Sequence, residues 1–143
     1  MKFLKLLSFL TPSEVVYAHC DVPCGIYDPK SAQIAAATVL KMVQKINELP
    51  KDNQSVADRN NFVRMVLTKE EHARKCKEEI LILWTDYFKP EHLEKFPNLH
   101  EIIWKAAKLC SKNKQSVDEA AAQELVKAVD QIANIFAESK AAK

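Results

Sequence analysis

Apolar side chains recur every three or four positions along most of the chain, and prolines cut that pattern into four blocks. In the first, Val39, Met42, Val43, Ile46 and Leu49 share one helical face before Pro50, and Asp28-Pro29 supplies an N-cap with a proline in the first turn. The second runs through Phe62, Val66, Lys69, Ala73, Cys76, Ile80, Leu83 and Tyr87. Only Lys69 interrupts that stripe, which ends at Lys89-Pro90 because the ring does not continue a helix. Pro97 opens the third, with Leu99, Ile102, Ile103, Ala106, Leu109 and Cys110 on one side. Ser116-Val117-Asp118-Glu119 then reads as a capping box for a fourth, whose inward residues are Ala121, Leu125, Ala128, Ile132, Ile135 and Phe136. Four amphipathic helices on short connections predict an all-α four-helix bundle over residues 29–143, with a fraying Ala/Lys-rich C-terminus.

Composition narrows the class. The 143 residues are 48% apolar and 28% charged with a single glycine, which fits one helical domain around one core. A net charge of +2, with lysines alternating with glutamates, gives no nucleic-acid footprint. No apolar run reaches the roughly 18 residues of a membrane span. Cys76 and Cys110 fall on apolar faces and read as buried, inert thiols. Trp84 and Trp104 read as core or interface residues, His92 and His100 as surface or helix-start groups. The charged run over residues 69–79 reads as a solvated face with i,i+4 pairs.

The unusual chemistry sits before the bundle, in "HCDVPCGIYDP" (residues 19–29). Pro23 restricts the chain between Cys20 and Cys24, and Gly25 supplies conformations other residues resist, so the two cysteines curl together in a hook over residues 19–28. A zinc site would use Cys-x2-Cys spacing with a second distant pair, a Cys20–Cys24 disulfide would stabilise little, and the spacing excludes a Cys-x-x-Cys redox motif. Metal binding, zinc and a disulfide all stay open on residue types alone. Residues 1–18 have the outline of a signal peptide, with Lys2 and Lys5 before a short apolar patch, but Thr11-Pro12-Ser13-Glu14 breaks its apolar run. A disordered tail is one reading of this leader; a pro-segment removed between Ala18 and His19 is preferred for a chemical reason. Removal frees the His19 amine, which joins the deprotonated Cys20 amide and the Cys20 and Cys24 thiolates in a flat N2S2 set. That set suits Ni(II) or Cu(II), and the His19 imidazole can reach back as an axial donor. Cutting the leader would create a ligand.

The same stretch closely resembles the nickel hook of the nickel superoxide dismutases, and "LWTDYFKPEHLEKFP" (residues 83–97) is similar to that family's other strongly marked segment. The resemblance extends over the whole chain after Ala18. It implies a homohexamer of four-helix bundles with one nickel ion per subunit. It also implies dismutation of superoxide to dioxygen and hydrogen peroxide by Ni(III)/Ni(II) cycling. The ligands it implies are the His19 amine and imidazole, the Cys20 amide and thiolate, and the Cys24 thiolate, in a hook shaped by Asp21, Pro23 and Gly25. Tyr27 is placed at the site mouth, where its hydroxyl orders water or substrate without binding metal. Tyr87 is its neighbour, and Lys89 attracts the anion. Two positions depart from the family pattern: Ala35 and His72 stand where some members have Glu and Arg supporting the axial imidazole. His72 is then the candidate partner of His19, with water as its rival. A leader-processing peptidase is implied as a partner, and a reducing, cytoplasmic compartment suits a thiolate site. Two other classes compete: a nickel or copper carrier using the same hook without turnover, and a secreted helical interaction protein with bridged cysteines. Tyr27 and the second segment favour the enzyme through the resemblance.

Overall fold

A computed structural model describes residues 25–141. Four long helices form the bundle: α1 (Lys30–Asn47), α2 (Val56–Ile82), α4 (Leu99–Gln115) and α5 (Glu119–Ala141). A π-helical turn, Leu83–Tyr87, prolongs α2, and a short helix α3 (Pro90–Lys95) lies in the connection to α4. Helix α1 packs on α2 and α5, and α4 packs on the same two, which closes the bundle around one core. Val39, Val43, Ile80, Leu99, Ile103, Leu125 and Ile132 are sealed inside it, as the helical spacing predicts.

Three of the long helices, α1, α2 and α5, start where a side chain takes up N–H groups that have no partner within the helix. Asp28 Oδ1 accepts from the Lys30 amide at 2.8 Å. Ser55 and Asp58 form a reciprocal capping box on α2, at 3.1 and 3.0 Å. At α5 the cap is Asp118, whose Oδ1 accepts from the Ala121 amide at 3.1 Å. The box expected at Ser116 is therefore replaced by a single cap two residues later. Ser116 is occupied closing α4, with its amide and its hydroxyl both donating to the Lys112 carbonyl at 3.1 and 2.9 Å. Helix α4 likewise begins at Leu99, past the expected opening at Pro97.

Lys69 explains the interruption in the α2 stripe. It is 1% exposed. Its Nζ donates to the carbonyls of Asn113, Lys114 and Ser116, the last two at 3.1 Å. These are carbonyls at the end of α4, which have no later amide to bond, so a buried ammonium completes them. Asn113, also buried, donates through Nδ2 to Leu109 and Ala121 carbonyls at 3.0 Å and ties the end of α4 to the start of α5. Because α4 stops level with Lys69, the first turns of α2 overhang it. Val56, Phe62, Val63 and Leu67 are exposed there, so the expectation that Phe62 faces the core does not hold. Trp104 also lies outside the core, 56% exposed with the Lys108 ammonium 5.7 Å from its ring centre. Trp84 is half-buried, and its Nε1–H donates to His100 Nδ1 at 2.7 Å, joining the π turn to the start of α4.

Replacing Lys69 with Met leaves the α4 carbonyls buried without donors. Lys69→Met should lower stability by about 3 kcal/mol, seen as a lower urea midpoint at unchanged slope. A second expectation concerns acid. Hydrogen bonds from Ser55 hold the Asp58 carboxyl below its ordinary value of 3.8, and the bond from the Ala121 amide does the same for Asp118. A lowered folded value means that the unfolded chain takes up the proton first. Both contributions are therefore complete above pH 3.8 and fade as pH falls through the folded values. Asp118→Asn, which retains a cap, should flatten that acid limb in pH-dependent denaturation.

Candidate active site

The segment entering α1 is bent before it reaches the bundle. Gly25 has φ +67°, a left-handed conformation that side chains resist, although a Cβ there would meet no atom within 4 Å. Glycine is required by the backbone rather than by space. Ile26 then points outward, Tyr27 turns partly inward, and Pro29 is buried under the cap made by Asp28.

The other wall comes from the end of α2. In the π turn the Phe88 amide donates to the Leu83 carbonyl, five residues back, at 2.9 Å. Lys89 precedes a proline and is extended (φ −117°, ψ 167°), which ends the helix and turns the chain into α3. His92 accepts the Lys89 amide through Nδ1 at 3.0 Å and so holds that turn. Tyr87 is thereby delivered to Tyr27, with ring centres 5.6 Å apart. It stacks on His92 at 5.6 Å and 12°, meets Phe88 edge-on at 5.1 Å, and leans on Phe136 at 4.4 Å.

A third wall is the last turn of α5. The Tyr87 hydroxyl and Ser139 Oγ are 2.7 Å apart, and Ser139 Oγ donates to the Phe136 carbonyl at 2.7 Å. Lys140 donates to the Tyr27 carbonyl at 3.4 Å and lies 4.6 Å from the Phe136 ring centre. The fraying expected of the Ala/Lys-rich terminus falls on its last residues, and 142–143 lie outside the described residues. Helix α5 persists to Ala141, because Phe136, Ser139 and Lys140 form one face held by both tyrosines.

Gly25, Tyr27, Asp86, Tyr87, Lys89, Glu91 and His92 surround a small open cavity of about 150 Å³. It combines phenol oxygens suited to ordering water or a small oxyanion with one ammonium, set against two carboxylates. The structure thus gathers four of the residues singled out in the sequence: Gly25, Tyr27, Tyr87 and Lys89. His19, Cys20, Asp21, Pro23 and Cys24, with the leader 1–18, lie outside the described residues. Ala35 is buried in the core on α1. His72 is half-buried on α2, where its Nδ1 lies 2.9 Å from the Thr68 carbonyl and so donates to it; it does not line this cavity.

Cys76 and Cys110 are fully buried free thiols. The Cys76 S–H donates to Cys110, and that bond together with burial pushes the Cys76 thiol far above the ordinary range. Among the described residues no three His, Cys, Asp or Glu side chains converge as a metal site. Asp86, Glu91, Ser139 and Lys140 were not singled out in the sequence, and His92 was read there as a surface or helix-start group. For Ser139 and Lys140 the available signal was their i+3 and i+4 spacing from Phe136.

Residues 14–140 match the family model of nickel-containing superoxide dismutases. The chain belongs to this family. It is 38% identical over 138 residues to the nickel superoxide dismutase of Streptomyces seoulensis, covering 96% of this chain and 99% of that protein. Among solved structures, a tyrosine-to-phenylalanine variant of a nickel superoxide dismutase matches with a TM-score of 0.76 at 37% identity, over 85% of this chain and 98% of that one. A variant of a nickel superoxide dismutase whose first residue, a histidine, is changed to alanine matches with a TM-score of 0.70 at 35% identity, over 80% of this chain and 99% of that one. The chain is therefore a nickel-dependent superoxide dismutase, converting superoxide to dioxygen and hydrogen peroxide.

Lys89 brings an ammonium to a cavity that Asp86 and Glu91 also line, and the charge balance there sets its attraction for anions. Lys89→Glu should lower kcat/KM on the order of tenfold at low ionic strength, and added salt should narrow the gap to the parent chain. Stopped-flow decay of superoxide at several salt concentrations checks it.

Proposed function

We propose that the nickel ion is held by the segment leading into Tyr27, and that the cavity between Tyr27, Tyr87 and Lys89 is the route by which superoxide reaches it. The ligands are the His19 amine and imidazole, the Cys20 amide and thiolate, and the Cys24 thiolate, with Asp21, Pro23 and Gly25 shaping the hook. The observation that carries this reading is the position of Gly25. It lines the cavity, and Cys24 is the residue before it. The donors also fit the metal, since two thiolates with amine and amide nitrogens favour planar nickel. Cys76 and Cys110 do not fit: they are sealed and have no third donor nearby among the described residues.

When bound, nickel supplies one-electron cycling between Ni(III) and Ni(II), oxidising one superoxide and reducing the next. The chain's own residues do the rest. Lys89 draws the anion in, while Tyr27 presents a hydroxyl that orders water or superoxide at the mouth and Tyr87 stands as its neighbour. His72 donates through Nδ1 to Thr68, which leaves Nε2 as an acceptor for the N–H of the His19 imidazole.

Removal of the leader by a peptidase frees the His19 amine. Two observations support this step. The solved relative with a variant first histidine begins with the residue type found at His19, and the solved chains span less of this sequence than the curated relative does. The mature subunit assembles as a homohexamer in the cytoplasm, where thiolates stay reduced. The outward Trp104 and the overhanging apolar face of α2 are surfaces for that assembly.

The test compares the full chain with one beginning at His19, each supplied with nickel. Only the shorter chain should bind nickel tightly and dismutate superoxide. Cys20→Ser and Cys24→Ser should abolish both, whereas Cys76→Ala and Cys110→Ala should retain activity. Equal activity in the uncut chain would refute the role of processing.

A further inference from the structure

We propose that Ser139, in the last turn of α5, is a positioning residue for the dismutation, fixing the direction of the Tyr87 hydroxyl. This rests on the reading that Tyr87 stands at the mouth of the nickel site. Ser139 is 3% exposed, and its single hydroxyl proton has a fixed destination. The Phe136 carbonyl 2.7 Å away only accepts, so Ser139 donates to it. The 2.7 Å bond between Tyr87 and Ser139 is then donated by the phenol. The chain of donation runs from Tyr87 to Ser139 to Phe136, from the cavity inward.

The chemical consequence follows from what the phenol oxygen has left. With its proton committed to Ser139, Tyr87 offers only acceptor lone pairs to the cavity. It orients a water with one hydrogen toward Tyr87 and the other free for the incoming anion, and it does not itself clamp superoxide or peroxide. The aromatic contacts with Phe88, His92 and Phe136 hold the ring but leave the hydroxyl's rotation undetermined. Ser139 alone decides it. Without that acceptor the O–H swings outward and becomes an anion donor, which tightens binding and slows turnover.

Ser139→Ala in the nickel-loaded chain beginning at His19 should therefore lower kcat severalfold and lower KM with it, and Ser139→Thr should restore both. In a Tyr87→Phe background, Ser139→Ala should add nothing. A second readout needs neither nickel nor turnover. The chain has three tyrosines, so the Cζ resonance of Tyr87 is assignable in 13C-tyrosine spectra of the nickel-free protein. It should move in Ser139→Ala and return in Ser139→Thr. An unmoved Tyr87 resonance, or an undiminished effect of Ser139→Ala in the Tyr87→Phe background, overturns the proposal. Absence of dismutase activity in the parent chain would instead retire the reading of the site, while the spectra still decide the orientation of the hydroxyl.

Discussion

The ammonium of Lys69 sets the register of the bundle. A charge at 1% exposure is costly to desolvate, and burial lowers the lysine's affinity for its proton. The cost is offset because every N–H finds a carbonyl at the C-terminal end of α4, where the helix dipole also favours a cation. The bond fixes which turn of α2 lies beside the end of α4, and Asn113 fixes the start of α5 to the same point. With the register set there, Ile80 and Leu83 meet the core several turns later, and Tyr87 emerges at the opposite end of the bundle.

That opposite end is where the chemistry is assembled. The start of α1, the π turn after α2 and the last turn of α5 converge on the two tyrosines, each held through a different kind of bond. A helix cap at Asp28 directs the Tyr27 segment, aromatic packing seats the Tyr87 ring, and a hydroxyl relay sets its oxygen. The separation of labour is economical in physical terms. The far end is tied by the buried bonds of Lys69 and Asn113, while the near end carries an open cavity and the exposed Lys89 and Glu91.

The bundle was legible because buried side chains obey helical spacing, and most residues assigned inward are inward. The misreadings share a cause. Phe62 continues the α2 stripe, yet the length of α4 decides whether anything covers it. Ser116 and Asp118 are both good caps, and only the closure of α4 by Ser116 shows which one serves α5. The π turn changes hydrogen-bond partners without changing residue types, so no spacing announces it. The hook was conspicuous because its cysteines, histidine, prolines and lone glycine are packed into one segment. Ser139 and Lys140 were not, since a terminal helix with small and basic residues looks like any loose end until the residue it anchors is known.

The burial of Cys76 and Cys110 has a bearing on how long such an enzyme lasts. Its product is hydrogen peroxide, released next to its own protein surface at every second turnover step. Peroxide attacks thiolates, and the rate follows ionisation and access. Access is denied to both, since each cysteine is sealed in the α2–α4 contact, and ionisation is denied to Cys76, whose proton is held by its neighbour. The thiols outside the hook are thus kept out of reach of self-inflicted oxidation, and the core they pack in is insulated from the chemistry performed at the tip.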